Sequence, residues 1–233
     1  MKFGIVVFPG TWSERDWHHV ITRTLGHEAA YIWHAETDLK GCDAIIIPGG
    51  FAHGDYLRTG AIARFSPVMS AVAAFVEQGG LVLGSCNGFQ IMLEAGLLPG
   101  ALLRNEHLAY RCEWVHLRVE RNDTPFTSTC KVGQVLRIPI SHGEGSYFAS
   151  DEDLAALEAR NGVVFRYCDA QGNVTPASNP NGSRNNIAGI INERGNAMAL
   201  MPHPERCCEP QLGGTDGLYL CNSMLTSHIS VAR

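Results

Sequence analysis

Eight cysteines are present, at 42, 86, 112, 130, 168, 207, 208 and 221, but no C-x-x-C pair. That spacing offers neither a zinc site nor a disulfide framework, and the scattered thiols read as reduced. Basic clusters are also missing: 18 Lys and Arg are spread among 23 Asp and Glu, for a net charge of -5. Nucleic acid and anionic membrane are therefore poor partners. No apolar run reaches membrane-spanning length, and the opening run to Phe8, stopped by Pro9-Gly10, is too short for a signal peptide. A cytoplasmic chain is the expectation. Neither phosphate-cradling fingerprint, G-x-x-x-x-G-K or G-x-G-x-x-G, occurs, so no nucleotide cofactor is expected on this chain, and no metal either. Repeats and low-complexity tracts are absent. The 233 residues, 45% hydrophobic and 18% charged, read as one domain, 1-233.

What is present is an alternation of strands and helices. Residues 2–8 form a β-branched and aromatic strand. Thr11 or Ser13 can cap the helix that carries Trp17, Val20, Ile21 and Leu25 on one face. Residues 28–33 are a second strand, and Ala44-Ile45-Ile46-Ile47 is a third, wholly apolar, as in a parallel sheet covered on both faces. Residues 66–78 read as a helix closed by Gly79-Gly80, and residues 81–85 as the next strand. The pattern predicts an α/β fold with a doubly wound, mostly parallel sheet, in which ligands sit at the carboxyl ends of strands. Residues 110–120 and 132–139 add antiparallel strands, and Ile140 to Gly145 a Gly-broken polar loop. A helix over 151–160, a strand over 163–167 and an exposed Asn- and Gly-rich loop over 172–186 follow. The chain ends in a hairpin of 187–191 with 197–201 and a helix over 215–228 whose face holds Leu218, Cys221, Leu225 and Ile229.

The stretch around which this is organised is Gly84-Ser85-Cys86-Asn87-Gly88-Phe89-Gln90, at a strand-to-helix junction. A cysteine flanked by glycines there is the thiol form of the nucleophile elbow: the backbone turns sharply, the sulfur stands above the sheet, and the helix N-terminus favours thiolate. The Asn87 amide then faces the place where an acyl oxyanion forms, and the Gly50 amide of Pro48-Gly49-Gly50 is a second donor on the same rim. A nucleophilic cysteine needs a base with an orienting partner. Among ten histidines, His203 is held between two prolines at a strand end, with Glu205 two positions on and on the same side. Cys86, His203 and Glu205 make a triad sufficient for acyl transfer. His142 is the rival base, though its Gly-rich setting suits substrate contact through backbone groups better than side-chain aiming.

Gly84 to Gln90 together with Pro202-His203-Pro204-Glu205 resembles the class I, triad, glutamine amidotransferases. More narrowly, Pro48-Gly49-Gly50-Phe51, Gly54-Asp55-Tyr56-Leu57-Arg58, Cys86-Asn87-Gly88-Phe89-Gln90 and His142-Gly143-Glu144-Gly145 resemble the glutaminase subunits of phosphoribosylformylglycinamidine synthase. The resemblance implies a flavodoxin-like sheet and hydrolysis of L-glutamine through a Cys86 thioester. It also implies that Gln90, Ser141, His142, Gly143 and Glu144 contact the glutamine. Ammonia would pass to a synthetase subunit that carries ATP and magnesium and makes formylglycinamidine ribonucleotide for purine synthesis, with a small bridging subunit. Loop 51–58 would face that synthetase. Three departures stand out: Thr11-Trp12-Ser13-Glu14 replaces a Ser-Asn-Cys-type segment, Ala52-His53 replaces Ser-Tyr, and Ser85 replaces an apolar residue. Two other readings stay open: a triad amidotransferase of another pathway, and a stress protein or peptidase with the same cysteine elbow.

Overall fold

The computed structural model describes residues 1–231, with side chains to residue 227. The first half runs β1 (Lys2–Val7), α1 (Glu14–His19, continued by a π-helical turn over Val20–Thr24), β2 (Glu28–Trp33) and β3 (Ala44–Ile47). It goes on through α2 (Pro67–Glu77), β4 (Leu81–Ser85) and α3 (Asn87–Glu94). Then come β5 (Ala101–Leu103), β6 (Arg111–Val119), β7 (Val135–His142), β8 (Ser146–Phe148), α4 (Asp151–Ala159) and β9 (Val163–Cys168). The hairpin β10 (Ile187–Ile191) and β11 (Ala197–Leu200) and the helix α5 (Leu218–Val231) complete the chain.

One sheet carries the order β2-β1-β3-β4-β11-β10-β9-β6-β7, while β5 and β8 pair separately. Its first five strands are parallel and the pairs from β11 to β7 are antiparallel. Both faces are covered, which is why β3 can be apolar throughout: all four of its residues are buried. On one face lie Val68 and Val72 of α2, Phe89 and Met92 of α3, and Leu154 and Leu157 of α4. On the other lie Trp17 and Ile21 of the first helix and Leu220 and Met224 of the last. The predicted stripe of α5 is buried at Cys221 and partly buried at Leu218 and Leu225; Ile229 lies outside the described side chains.

Three local expectations are corrected. Ser13 does precede α1, but its hydroxyl donates to the Gly49 carbonyl (3.3 Å) instead of capping, and the Thr11 hydroxyl accepts from the Phe8 amide (2.9 Å). β7 does not stop at Pro139: Ile140, Ser141 and His142 stay paired with Glu113, Cys112 and Arg111. β7 is the sheet's edge, where a proline forfeits no ladder hydrogen bond. The stretch 172–186 is not simply an exposed loop, because Asn181 and Ser183 are buried and their polar atoms bonded. Asn and Ser satisfy buried backbone as readily as they meet water.

Candidate active site

The turn from β4 into α3 has the elbow geometry. Cys86 sits at φ 52, ψ −108 and is held there by its amide bonding to the Leu200 carbonyl of β11 (2.9 Å). A non-glycine residue so placed stores about 1–3 kcal/mol of strain, kept only because its surroundings fix it. The flanking glycines are needed for contact. A Cβ on Gly84 would lie 2.6 Å from Met92 Sδ, and one on Gly88 would run into the Ile47 carbonyl of β3. Gly88→Ala is therefore expected to force α3 off the sheet at a cost of about 3 kcal/mol. That lowers the melting temperature by about 6–12 °C; a melting curve within a degree of wild type would show that the helix yields freely. Ser85, the unexplained departure, has a partner: its hydroxyl accepts from the Trp17 indole N–H at 3.1 Å, both groups buried.

Cys86 is buried, not raised into open solvent as the sequence suggests, and reaches the surface through a cleft of about 330 Å³. Gly50, Ser141 and His203 share that cleft; Trp12, Phe51, Tyr110 and Arg206 wall its mouth. The thiol donates to the Ser141 carbonyl (3.5 Å), whose residue also holds the Tyr110 hydroxyl through Oγ (2.9 Å). His203 is fixed by its amide donating to the Pro139 carbonyl (2.8 Å). Its Nδ1 donates to Glu205 Oε1 at 2.6 Å, leaving Nε2 buried and without a hydrogen-bond partner among the described residues. Burial alone would lower the imidazole pKa; the Glu205 carboxylate and then Cys86 outweigh it and raise it to about 10.

The two predicted oxyanion donors are in place to act. Neither the Gly50 nor the Asn87 amide has a hydrogen-bond acceptor among the described residues. Gly50, at φ +153, could not carry a side chain, since a Cβ would stand 2.7 Å from Thr11 Cα and Trp12 N. Beside it, a Cβ on Gly49 would lie 2.7 Å from His203 Cε1 and 3.3 Å from Cys86 Cβ, which measures how tightly the loop, base and nucleophile converge.

The remaining predicted contacts divide. Gln90 is engaged by the protein itself: its Oε1 accepts from Asn87 Nδ2 (2.7 Å) and its Nε2 donates to the Glu144 carbonyl (2.7 Å). The His142 ring is not brought to the thiol. It is buried, bonded to Asn105 Oδ1 (3.0 Å) and near Asn181 Nδ2 (3.4 Å), and burial with the nearby His203 charge lowers its pKa to about 4. As the rival base it is set aside: the ring is a neutral strut, which leaves the backbone for the substrate contact expected of this residue. Gly143 keeps open space on its Cα side, with Tyr110 the nearest neighbour. Sequence reasoning missed Asn105, fully buried, whose amide side chain holds the His142 carbonyl, the His142 ring and the Gly145 amide. His53 turns inward against Phe8 and His34, not toward a partner as its loop position suggested, while Trp12 stays exposed against Phe51.

The Asp55 carboxyl, near the elbow, is raised from 3.8 to about 6 by burial and by Glu144, against the hydrogen bond from Asn87. A carboxyl raised in the fold holds its proton more tightly there than in the unfolded chain. Stability therefore falls as pH climbs from about 4 to about 6 and stays lowered above. Asp55→Asn is expected to gain about 1–2 kcal/mol at pH 8, allowing for the solvent around a half-buried group, and nothing near pH 3.5. Denaturant midpoints at the two pH values check this; an equal gain at both would remove the carboxylate's charge as the cause.

The chain matches the family model of the CobB/CobQ-like glutamine amidotransferase domain over residues 1–212. Among curated relatives, the phosphoribosylformylglycinamidine synthase subunit PurQ of Moorella thermoacetica is 57% identical over 225 residues, 97% of this chain and 95% of the relative. The protein of the same name from Thermomicrobium roseum is 55% identical over 233 residues, 100% of this chain and 99% of its own. A chain in the structure of PurLQS from Thermotoga maritima superposes with a TM-score of 0.85 at 41% identity, over 97% of this chain and 98% of that one. The glutaminase domain of Trypanosoma brucei CTPS shares the fold, with a TM-score of 0.60 at 13% identity over 97% of this chain and 94% of its own.

Proposed function

Since the chain belongs to the CobB/CobQ-like glutamine amidotransferases, we propose that it is the glutaminase subunit of a phosphoribosylformylglycinamidine synthase. The observation that carries the chemistry is the His203 ring, bound through Nδ1 to Glu205 and presenting a bare Nε2 in the cleft that holds Cys86. In the proposed reaction His203, held protonated beside Glu205, already carries the thiol's proton on Nε2, and the thiolate sulfur bonds to the carboxamide carbon of L-glutamine. The carbonyl oxygen becomes an oxyanion between the Gly50 and Asn87 amides. Its collapse breaks the C–N bond, and His203 returns the proton to the departing nitrogen, which leaves as ammonia. Water, deprotonated by His203, then splits the thioester to glutamate and restores the thiol.

The strand end Ser141, the Gly143 backbone and the Glu144 carbonyl, braced by Gln90, would shape the glutamine pocket, with the His142 ring supporting it from behind. The proposal continues outward from the cleft. Phe51, Tyr56 and Leu57 leave large apolar surfaces exposed, Leu57 at 90%, while Arg58 is tied to Glu94 by two hydrogen bonds of 2.6 and 2.7 Å. Such a rim is apt for a partner, and we take loop 51–58 as facing the synthetase subunit. ATP and magnesium would serve there, a small third subunit would bridge the two, and the whole chain would act as one domain in the cytoplasm. No helix among the described residues is long and apolar enough to cross a membrane.

The test supplies the chain with a purified synthetase subunit, the bridging subunit, formylglycinamide ribonucleotide and ATP–Mg²⁺. Glutamate and formylglycinamidine ribonucleotide should form together from glutamine. Glutamine left intact in the full mixture, with free ammonia still used, would overturn the glutaminase assignment.

A further inference from the structure

We infer that the Asn87 side chain is a positioning clasp that fixes the spacing between the two oxyanion donors, with Asp55 holding it from the far side. The inference rests on the glutaminase reading above. The donors come from different elements: Gly50 follows β3, and Asn87 opens α3 after β4. The Asn87 carboxamide joins these elements directly. Its Oδ1 accepts from the amide of Ala52 (3.0 Å), two residues beyond Gly50, and its Nδ2 donates to Asp55 Oδ1 (3.4 Å) on the same loop. Nδ2 also donates to Gln90 Oε1 (2.7 Å), whose amide nitrogen reaches the Glu144 carbonyl. One buried residue thus offers its backbone N–H toward the cleft and spends its side chain tying that donor to the loop of the other.

The residue type follows from the requirement to accept and donate at once. Leucine, of similar size, would leave the Ala52 amide without a partner. Aspartate would keep that acceptor but lose both donors and set a third carboxylate beside Asp55 and Glu144. Oxyanion donors act only within about 2.7–3.1 Å of the developing charge, so a loop free to drift by a fraction of an ångström stabilises the transition state less without altering how substrate is held.

Asn87→Ala removes the clasp and keeps the backbone N–H. In the complete complex its glutamine hydrolysis should show kcat lower by roughly 10–100-fold, with KM within about threefold of wild type. Alkylation of Cys86 by iodoacetamide, a displacement that forms no oxyanion, should run at the wild-type rate. Asp55→Ala should show a smaller loss of the same kind, and Asp55→Asn, whose Oδ1 can still accept from Asn87, should recover it. The clasp is overturned if Asn87→Ala keeps its kcat, if its loss lies in KM, or if alkylation slows in step with turnover. Should Asn87→Ala fail to fold, the two Asp55 variants decide, and equal activity in both overturns it. A wild-type complex that releases no glutamate takes down the glutaminase reading and the clasp with it, whereas an active wild type with an equally active variant removes the clasp alone.

Discussion

Cys86→Ala is expected to lower glutamine-dependent glutamate release by at least about 10⁴-fold while leaving ammonia-dependent synthesis in the complex intact. Alanine removes the sulfur proposed to bond to the carboxamide carbon, and water placed there has neither the nucleophilicity nor the aim of the thiolate. The oxyanion amides of Gly50 and Asn87 survive the change, so any residual rate reports what they and binding achieve alone. Folding should be little affected. The sulfur donates to the Ser141 carbonyl, and its loss from a buried site is worth about 1 kcal/mol. The strained φ of 52 is as costly for alanine as for cysteine. Purified variant and wild type would be compared for glutamate formed and for use of ammonium chloride. Glutamine turnover surviving in Cys86→Ala would end the nucleophile assignment and the triad with it.

Glu205→Gln should be nearly as damaging, with kcat falling about 10³–10⁴-fold and KM little changed. The two side chains have the same shape, so the packing behind His203 persists; what goes is the negative charge 2.6 Å from Nδ1. Without it the ring is free to take the wrong tautomer and cannot stay protonated while the thiolate forms. Stability carries the same signature. The His203 pKa is raised in the fold from about 6.5 to about 10, so the stabilisation of the charged ring is complete below pH 6.5 and disappears as pH climbs through 10. The gap between wild type and Glu205→Gln, about 2–3 kcal/mol at pH 6.5, should therefore narrow toward pH 10. Equal denaturation midpoints for the two proteins at pH 6.5 would show that Glu205 does not hold His203 in its charged form.

The parallel half of the sheet was open to reading because its signals are local. β1 and β3 are short β-branched runs stopped by proline, β4 is an apolar run that follows Gly79-Gly80, and the hairpin of β10 and β11 is bracketed by its own turn. The meeting of Cys86 and His203 in one cleft was readable for a similar reason: glycines two before and two after Cys86, and prolines on both sides of His203, are backbone instructions written beside each residue. What escaped depends on partners far along the chain. Ser85 looked idle until Trp17 was placed against it, 68 residues away. His142 stood as a rival base, but Asn105 and Asn181 hold its ring from 37 and 39 residues away. Composition could not separate the 172–186 stretch from a solvated loop, because the amides that bind water are the ones that here replace it. Pro139 looked like a strand end, and only the sheet order, which puts β7 at the rim, shows why it is not.

That rim has a second meaning. The outward-facing edge of β7 is a row of backbone groups that could recruit a strand from a neighbouring molecule. Here those groups are occupied one after another. The Arg137 amide is taken by Asp216 (2.7 Å), Pro139 has no amide to offer and gives its carbonyl to the His203 amide, and the Ser141 carbonyl receives the Cys86 thiol. The turn that carries His203 and the thiol of Cys86 are also the cover on an otherwise sticky border. Protection against edge-to-edge association and readiness to react are therefore maintained by one set of contacts, and damage to the turn would cost the cell solubility along with turnover.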